Sequence, residues 1–195
     1  MFTLYLKLGF FHIISLDAYD HILFVTLLTG IYHYRQWKNI LALVTAFTLG
    51  HSLSLALSTL HIVVVSSAVI EWFIVITIFL TGVENLFIKT SKDTRIFSIK
   101  YWIKYSIAML FGLVHGLGFS FYLQSMLGRE ESIILPLLSF NIGVEFAQWI
   151  VVAIIFFVTW LMVDKLKILR KEWNLVLSCT GIGIALILIF ERYPF

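Results

Sequence analysis

Apolar residues run through this chain in long unbroken blocks, and the polar residues are gathered between them. The blocks cover roughly 20–35, 39–60, 64–88, 103–127, 133–162 and 174–191. Each is near the ~20 residues that a helix needs to cross the hydrocarbon core of a bilayer. Barrel strands would read instead as alternating ~10-residue segments. The pattern predicts an all-α polytopic membrane protein, a bundle of six transmembrane helices. The leading stretch MFTLYLKLGFFHIISL is apolar but short, and Lys7 and Gly9 interrupt it. It lacks a small-residue cleavage site, so it does not read as a signal peptide. Residues 1–18 are expected to form a short interfacial or partly inserted helix ahead of the first span. No linker or soluble domain stands out, so 1–195 reads as a single integral membrane domain.

Composition agrees with the pattern. Apolar residues are 61% of the chain, charged residues 13%, and the mean hydropathy is +0.98. The one cysteine, Cys179, excludes an internal disulfide and any multi-cysteine metal site. A metal site here would be built from histidine, carboxylate and amide groups.

The net charge of +3 is explained by topology and not by nucleic-acid binding. Eleven of the 14 Lys and Arg residues fall on one side of the predicted bundle: Arg35, Lys38, five in KTSKDTRIFSIKYWIK and four in DKLKILRKEW. The other side receives Lys7, Arg129 and Arg192. Such bias marks the cytoplasmic side. The expectation is a multi-pass protein of the bacterial cytoplasmic (inner) membrane with its charged loops inside and both termini outside. If the leading segment itself spans, the N-terminus moves inside and the count becomes seven.

Ionisable residues inside the blocks change the picture most, because they are costly in lipid and usually functional. His51 has no charged residue within a dozen positions on either side. Counting depth at ~1.5 Å per helical residue puts His115 at a similar level. Asp20 and His21 open the first span, Glu71 lies about two turns into the third, and Asn141 and Glu145 lie in the outer part of the fifth. Asn141, Glu145 and Gln148 share one helix face by their i, i+4, i+7 spacing. Gly112 and Gly116 in GLVHGLGF make a pair that lets helices approach closely. A lone membrane histidine also serves as a hydrogen-bond partner between helices, and Asn141 and Gln148 equally read as packing groups. Glu84 lies near a span end, where reaching water is easy, and reads as structural.

Imidazole nitrogen with carboxylate oxygen suits Zn, Ni, Co or Fe ions, with Thr48, Ser52 or Asn141 orienting the rings. Serine chemistry has little support: no GxSxG elbow is present, and Ser52 does not share His51's face.

These same residues carry a resemblance. YDHILF (19–24), TAFTLGHSLSL (45–55), Ile70–Glu71 with Asn85 further on, FGLVHGLGF (111–119) and FNIGVEFAQ (140–148) resemble, in order, the motifs of HupE/UreJ membrane proteins. The resemblance is closest to the second HupE/UreJ group, in versions common in Bacteroidota. There is a fainter similarity to nickel/cobalt permeases in DAYDHI (17–22) and LGHS (49–52). The resemblance implies a transition-metal permease, or an accessory protein working with hydrogenase or urease maturation proteins. It implies Asp20, His21, His51 and His115 as metal-contacting residues, for nickel, cobalt or zinc. Glu71, Asn141, Glu145, His12, Ser52 and Gln148 would support them or handle protons. The permease signature has a histidine separated by four residues from its Asp-His pair. Ser15 stands there in this chain, and His12 is the nearest upstream substitute. A metal-dependent hydrolase acting on lipid or peptide within the membrane remains the alternative, since the same residues would leave one position open for water.

Overall fold

The computed structural model describes residues 1–15, 18–87, 99–127 and 133–194; within these, the side chains of Tyr34, Ile99, Lys100 and Leu127 are not described. Seven helices account for nearly all of the described chain: α1 Phe2–Ile14, α2 Tyr19–Thr29, α3 Trp37–Thr59, α4 Ser67–Phe87, α5 Ile99–Leu127, α6 Ile134–Trp160 and α7 Arg170–Glu191. Helix is the only regular structure that lets a backbone cross lipid within one segment. Five helices, α3 to α7, are long and apolar enough to cross a membrane, α6 continuing through a wider π turn to Lys165. Residues 88–98, most of the charged loop, lie outside the described residues, as do Asp17 of DAYDHI and Arg129.

The N-terminal part differs from expectation. The span predicted at 20–35 ends as a helix at Thr29, and Tyr34–Gln36 is a short 3-10 turn. Eleven residues make a helix about 16 Å long, too short to cross. The apolar residues of Ile31 to Tyr34 carried the hydropathy past the point where the chain turns. α1 and α2 together pass the span criteria only as a pair bent by 69°. α1 packs lengthwise on α6, and its buried face is Tyr5, Gly9 and Ile13. A Cβ on Gly9 would collide with the Phe140 carbonyl, and one on Gly143 with the Leu6 carbonyl. The two backbones touch there, which places α1 in the bundle.

α3 and α5 form the second close crossing. A Cβ on Gly50 would strike the Met109 carbonyl, on Gly112 the Phe47 carbonyl, and on Gly116 the His51 carbonyl and Ser54 Oγ. The expected Gly112/Gly116 pair is thus a contact surface, with α3 as its partner. Small residues serve this purpose in membranes because lipid supplies no hydrophobic drive and close backbone approach maximises dispersion contact. The histidines sit beside these crossings: His12 one turn beyond Gly9, His51 next to Gly50, and His115 between Gly112 and Gly116.

Candidate metal centre

Four elements deliver one histidine each. α1 contributes His12 near its C-terminal end, α2 contributes His21 in its first turn, α3 His51 and α5 His115. A ring nitrogen or carboxylate oxygen offered per residue brings His12, His21 and His51 within 4.8 Å of one another. Ring centroids are 4.6 Å apart for His12–His21, 5.9 Å for His12–His51 and 6.1 Å for His21–His51. His115 stands beside the group, its ring 5.3 Å from His21. His51 and His115 are fully buried and His21 nearly so.

The hydrogen bonds fix which nitrogens are available. His21 Nδ1 pairs with Asp20 Oδ1 at 3.0 Å, and His115 Nδ1 pairs with the Phe111 carbonyl at 2.9 Å. Since a carbonyl or carboxylate only accepts, both Nδ1 atoms carry the proton in the neutral ring, and both Nε2 atoms present a lone pair. Those two Nε2 atoms, His12 Nε2 and both nitrogens of His51 have no hydrogen-bond partner among the described residues. Buried polar atoms are nearly always paired, with protein, water or a ligand, so this concentration of ring nitrogens, of which only His51's has a polar side chain, Asn141, turned to it, marks a place built to take up a further group. The donor set fits a divalent transition ion. Three nitrogens bound to one ion at ~2.1 Å lie ~3.4 Å apart in a tetrahedral site, so closing the group takes movement on the order of an ångström.

Asp20 lines the same pocket as His12, His21 and His115, and its carboxylate is engaged by its neighbours. Its Oδ1 also accepts the His21 backbone N–H at 2.9 Å, and Arg192 Nη1 reaches its Oδ2 at 3.5 Å. This is the carboxylate–histidine arrangement that orients a ligating ring and raises its basicity. Asn141 on α6 faces His51, donates to the Leu137 carbonyl at 2.8 Å and leaves its Oδ1 unpaired. Phe119 packs on His12 with centroids 3.9 Å apart, and Phe140 stacks on His51 at 6.3 Å. An open pocket of about 580 Å³ leads to His12, His21 and His115. Glu71, Tyr122 and Arg192 line it, so it opens at the end where α5 and α7 finish and α4 begins.

None of the remaining predicted residues joins the three-histidine group. Glu71 lies in the pocket wall and accepts from Ser67 Oγ at 2.9 Å. Ser52 Oγ bonds its own helix at the Thr48 carbonyl, 2.7 Å. Gln148 is buried and accepts from Thr48 Oγ1 at 2.7 Å. Glu145 turns to the α3–α6 seam, where Thr45 Oγ1 donates to it at 2.6 Å and Trp149 Nε1 at 3.1 Å.

The family model described as HupE / UreJ protein matches residues 1–192. The chain belongs to the HupE/UreJ family. Neither the curated proteins nor the solved structures hold a match to it. In this HupE/UreJ member, the YDHILF, TAFTLGHSLSL and FGLVHGLGF motifs each deliver one histidine to the cluster, and FNIGVEFAQ delivers Asn141. Sequence reading placed His12 only as a substitute; the structure makes it a member of the three-histidine group. Arg192 was counted only for topology, and its bond to Asp20 had no local signal in sequence. Phe119 and Phe140 lie inside two of the quoted motifs, which was the available clue.

Proposed function

We propose that the protein binds a divalent transition-metal ion between His12, His21 and His51, with His115 adjacent, and acts as a permease or metal-handling accessory protein of the nickel/cobalt type. The observation that carries this reading is the set of buried ring nitrogens without partners, drawn from four helices. The excess of Lys and Arg in the opposite loops favours an outward-facing pocket in a bacterial cytoplasmic membrane. A metal ion is then taken from outside, dehydrated in the pocket and held by imidazole, and Asp20 keeps His21 Nε2 aimed at it.

The size of the pocket favours a second reading. A space of about 580 Å³ lies within the range of small-molecule sites, so it suits an organic substrate beside a zinc-bound water as well as an ion. One experiment separates the two. The purified protein is loaded with Ni, Co or Zn and measured by elemental analysis, then reconstituted in vesicles. One bound ion per chain, lost more than about 100-fold in affinity on His51→Ala, together with saturable uptake, supports the permease. No metal in wild type sinks both readings. Bound zinc with lipid or peptide cleavage and no uptake selects the hydrolase.

A further inference from the structure

At the opposite end of the bundle from the histidine pocket lies a second, much smaller pocket of about 20 Å³, lined by Tyr32, Thr81, Glu84, Asn85, Lys104 and Phe111 among others. That is room for one water-sized occupant. The two pockets are in line. Along α5, His115 lines the first and Phe111, one turn earlier, lines the second. Along α4, Glu71 and Ile74 line the first and Thr81, Glu84 and Asn85 the second. Along α2 the order is His21, Phe24, Leu28; along α3 it is His51, Phe47, Leu43. Between the pockets lies one layer of aromatic rings. Phe24 and Phe47 are 4.8 Å apart, both are fully buried, both are 5.0 Å from His115, and Phe24 is 6.1 Å from Phe111.

The chemistry of the second pocket is oxygen-rich. Tyr32, Thr81, Glu84 and Asn85 line one side of it together with the Lys104 ammonium, and apolar side chains line the rest. Lys104 Nζ donates to Tyr32 Oη at 2.7 Å and lies 4.0 Å from Glu84 Oε1. A lysine in the first turns of a membrane helix normally extends to water. Lys104 does the reverse: its side chain is 14% exposed and Glu84's is 45%. Lys104 is thus the better buried member of the pair.

We propose that the pocket of Tyr32, Thr81, Glu84, Asn85 and Lys104 is a second binding station for the divalent cation, separated from the histidines by the Phe24–Phe47–Phe111 layer, and that the Lys104 ammonium takes the cation's place there. This rests on the metal-cargo reading. An oxygen set holds a nickel- or cobalt-type ion less tightly than imidazole, and a station that releases its ion must bind weakly enough to let go. Lys104 would be displaced when an ion crosses the aromatic layer and would return when it leaves.

The test uses the full chain in detergent with Co²⁺ as the probe, read by equilibrium dialysis and elemental analysis. Wild type is expected to hold one tight ion. Lys104→Met should add a second ion, at least tenfold weaker, and Lys104→Gln, which keeps a donor for Tyr32, is the second variant in case the first does not fold. Adding Glu84→Gln should remove the second ion and leave the first. Adding His51→Ala should remove the first and leave the second. If neither Lys104 variant gains an ion while the tight ion stays, the second station is wrong and the histidine site stands. If wild type lacks the tight ion but Lys104→Met binds one that Glu84→Gln abolishes, the histidine reading fails and the station stands.

Discussion

The two halves of the bundle use buried polar groups in opposite ways. In the half away from the histidine pocket, Asn85 Nδ2 bonds the Leu27 carbonyl at 2.7 Å, Asn174 Nδ2 bonds the Asn85 carbonyl at 2.8 Å, and Ser178 Oγ bonds Asn174 Oδ1 at 3.0 Å. These bonds tie α2, α4 and α7 together, as interhelical hydrogen bonds do in lipid. In the other half, four histidines leave five ring nitrogens without partners among the described residues. An unpaired buried polar group costs about 1–3 kcal/mol, so the first arrangement stabilises the fold and the second does not. Asn39 breaks the pattern: it is buried in the same half as Asn85, yet both its side-chain atoms lack partners among the described residues, and nothing in the structure explains it. Gln148 Nε2, at the α3–α6 contact, is a second exception, buried and without a partner among the described residues. Elsewhere satisfaction marks structure and its absence marks the site.

The largest effect should come from the scaffold that brings the histidines together. In Gly112→Ala the added methyl meets the Phe47 carbonyl and the backbone of His51, neither of which is the far end of a flexible side chain. Overpacking against fixed backbone should cost about 3 kcal/mol and separate His51 from the other rings. Thermal unfolding in detergent should fall, and metal content with it. Gly183→Ala is the companion: nothing lies within 4 Å of its Cβ, and the helix should gain about 0.5–1 kcal/mol. Equal melting of the two variants would remove the α3–α5 contact from the account.

Next is Asp20→Asn. The amide keeps the size but loses the charge that holds His21 and meets Arg192. Metal affinity should fall about 10- to 100-fold with the unfolding midpoint little changed. A loss of stability without a loss of affinity would make Asp20 a structural partner of Arg192. Asn174→Ala makes the converse break in the other half. It strips the Asn85 carbonyl and Ser178 of their partner, which should cost about 1 kcal/mol and leave metal binding alone.

Hydropathy made α3 to α7 legible because lipid demands length and apolarity of each. It failed at α2 because the aromatic residues after Gly30 are as apolar as a span but turn. It also gave α1 no partner, since composition carries no rotation. The site was legible in depth only. Gly112 and Gly116 do meet α3, because their i, i+4 spacing sets both on α5's crossing face. Depth could not say that His12 closes the group from α1, nor that Glu145 turns aside while Asn141, one turn earlier on the same helix, faces His51.

Glu145 gives the smallest and sharpest of the tests. It lies at a depth where a carboxylate invites a metal or proton role, yet both its donors belong to the seam: Thr45, which is exposed, and Trp149, which is 43% exposed. Glu145→Gln keeps a carbonyl oxygen for both donors and removes only the ability to ionise. If the half containing the histidines depends on its own unpaired nitrogens, metal affinity should stay within about 2-fold and stability within about 0.5 kcal/mol. Dialysis against the probe ion measures the first and thermal unfolding the second. A tenfold drop in affinity would mean that the charge in the α3–α6 seam acts on the histidines, and the division between a paired scaffold and an unpaired site would have to be redrawn through α6.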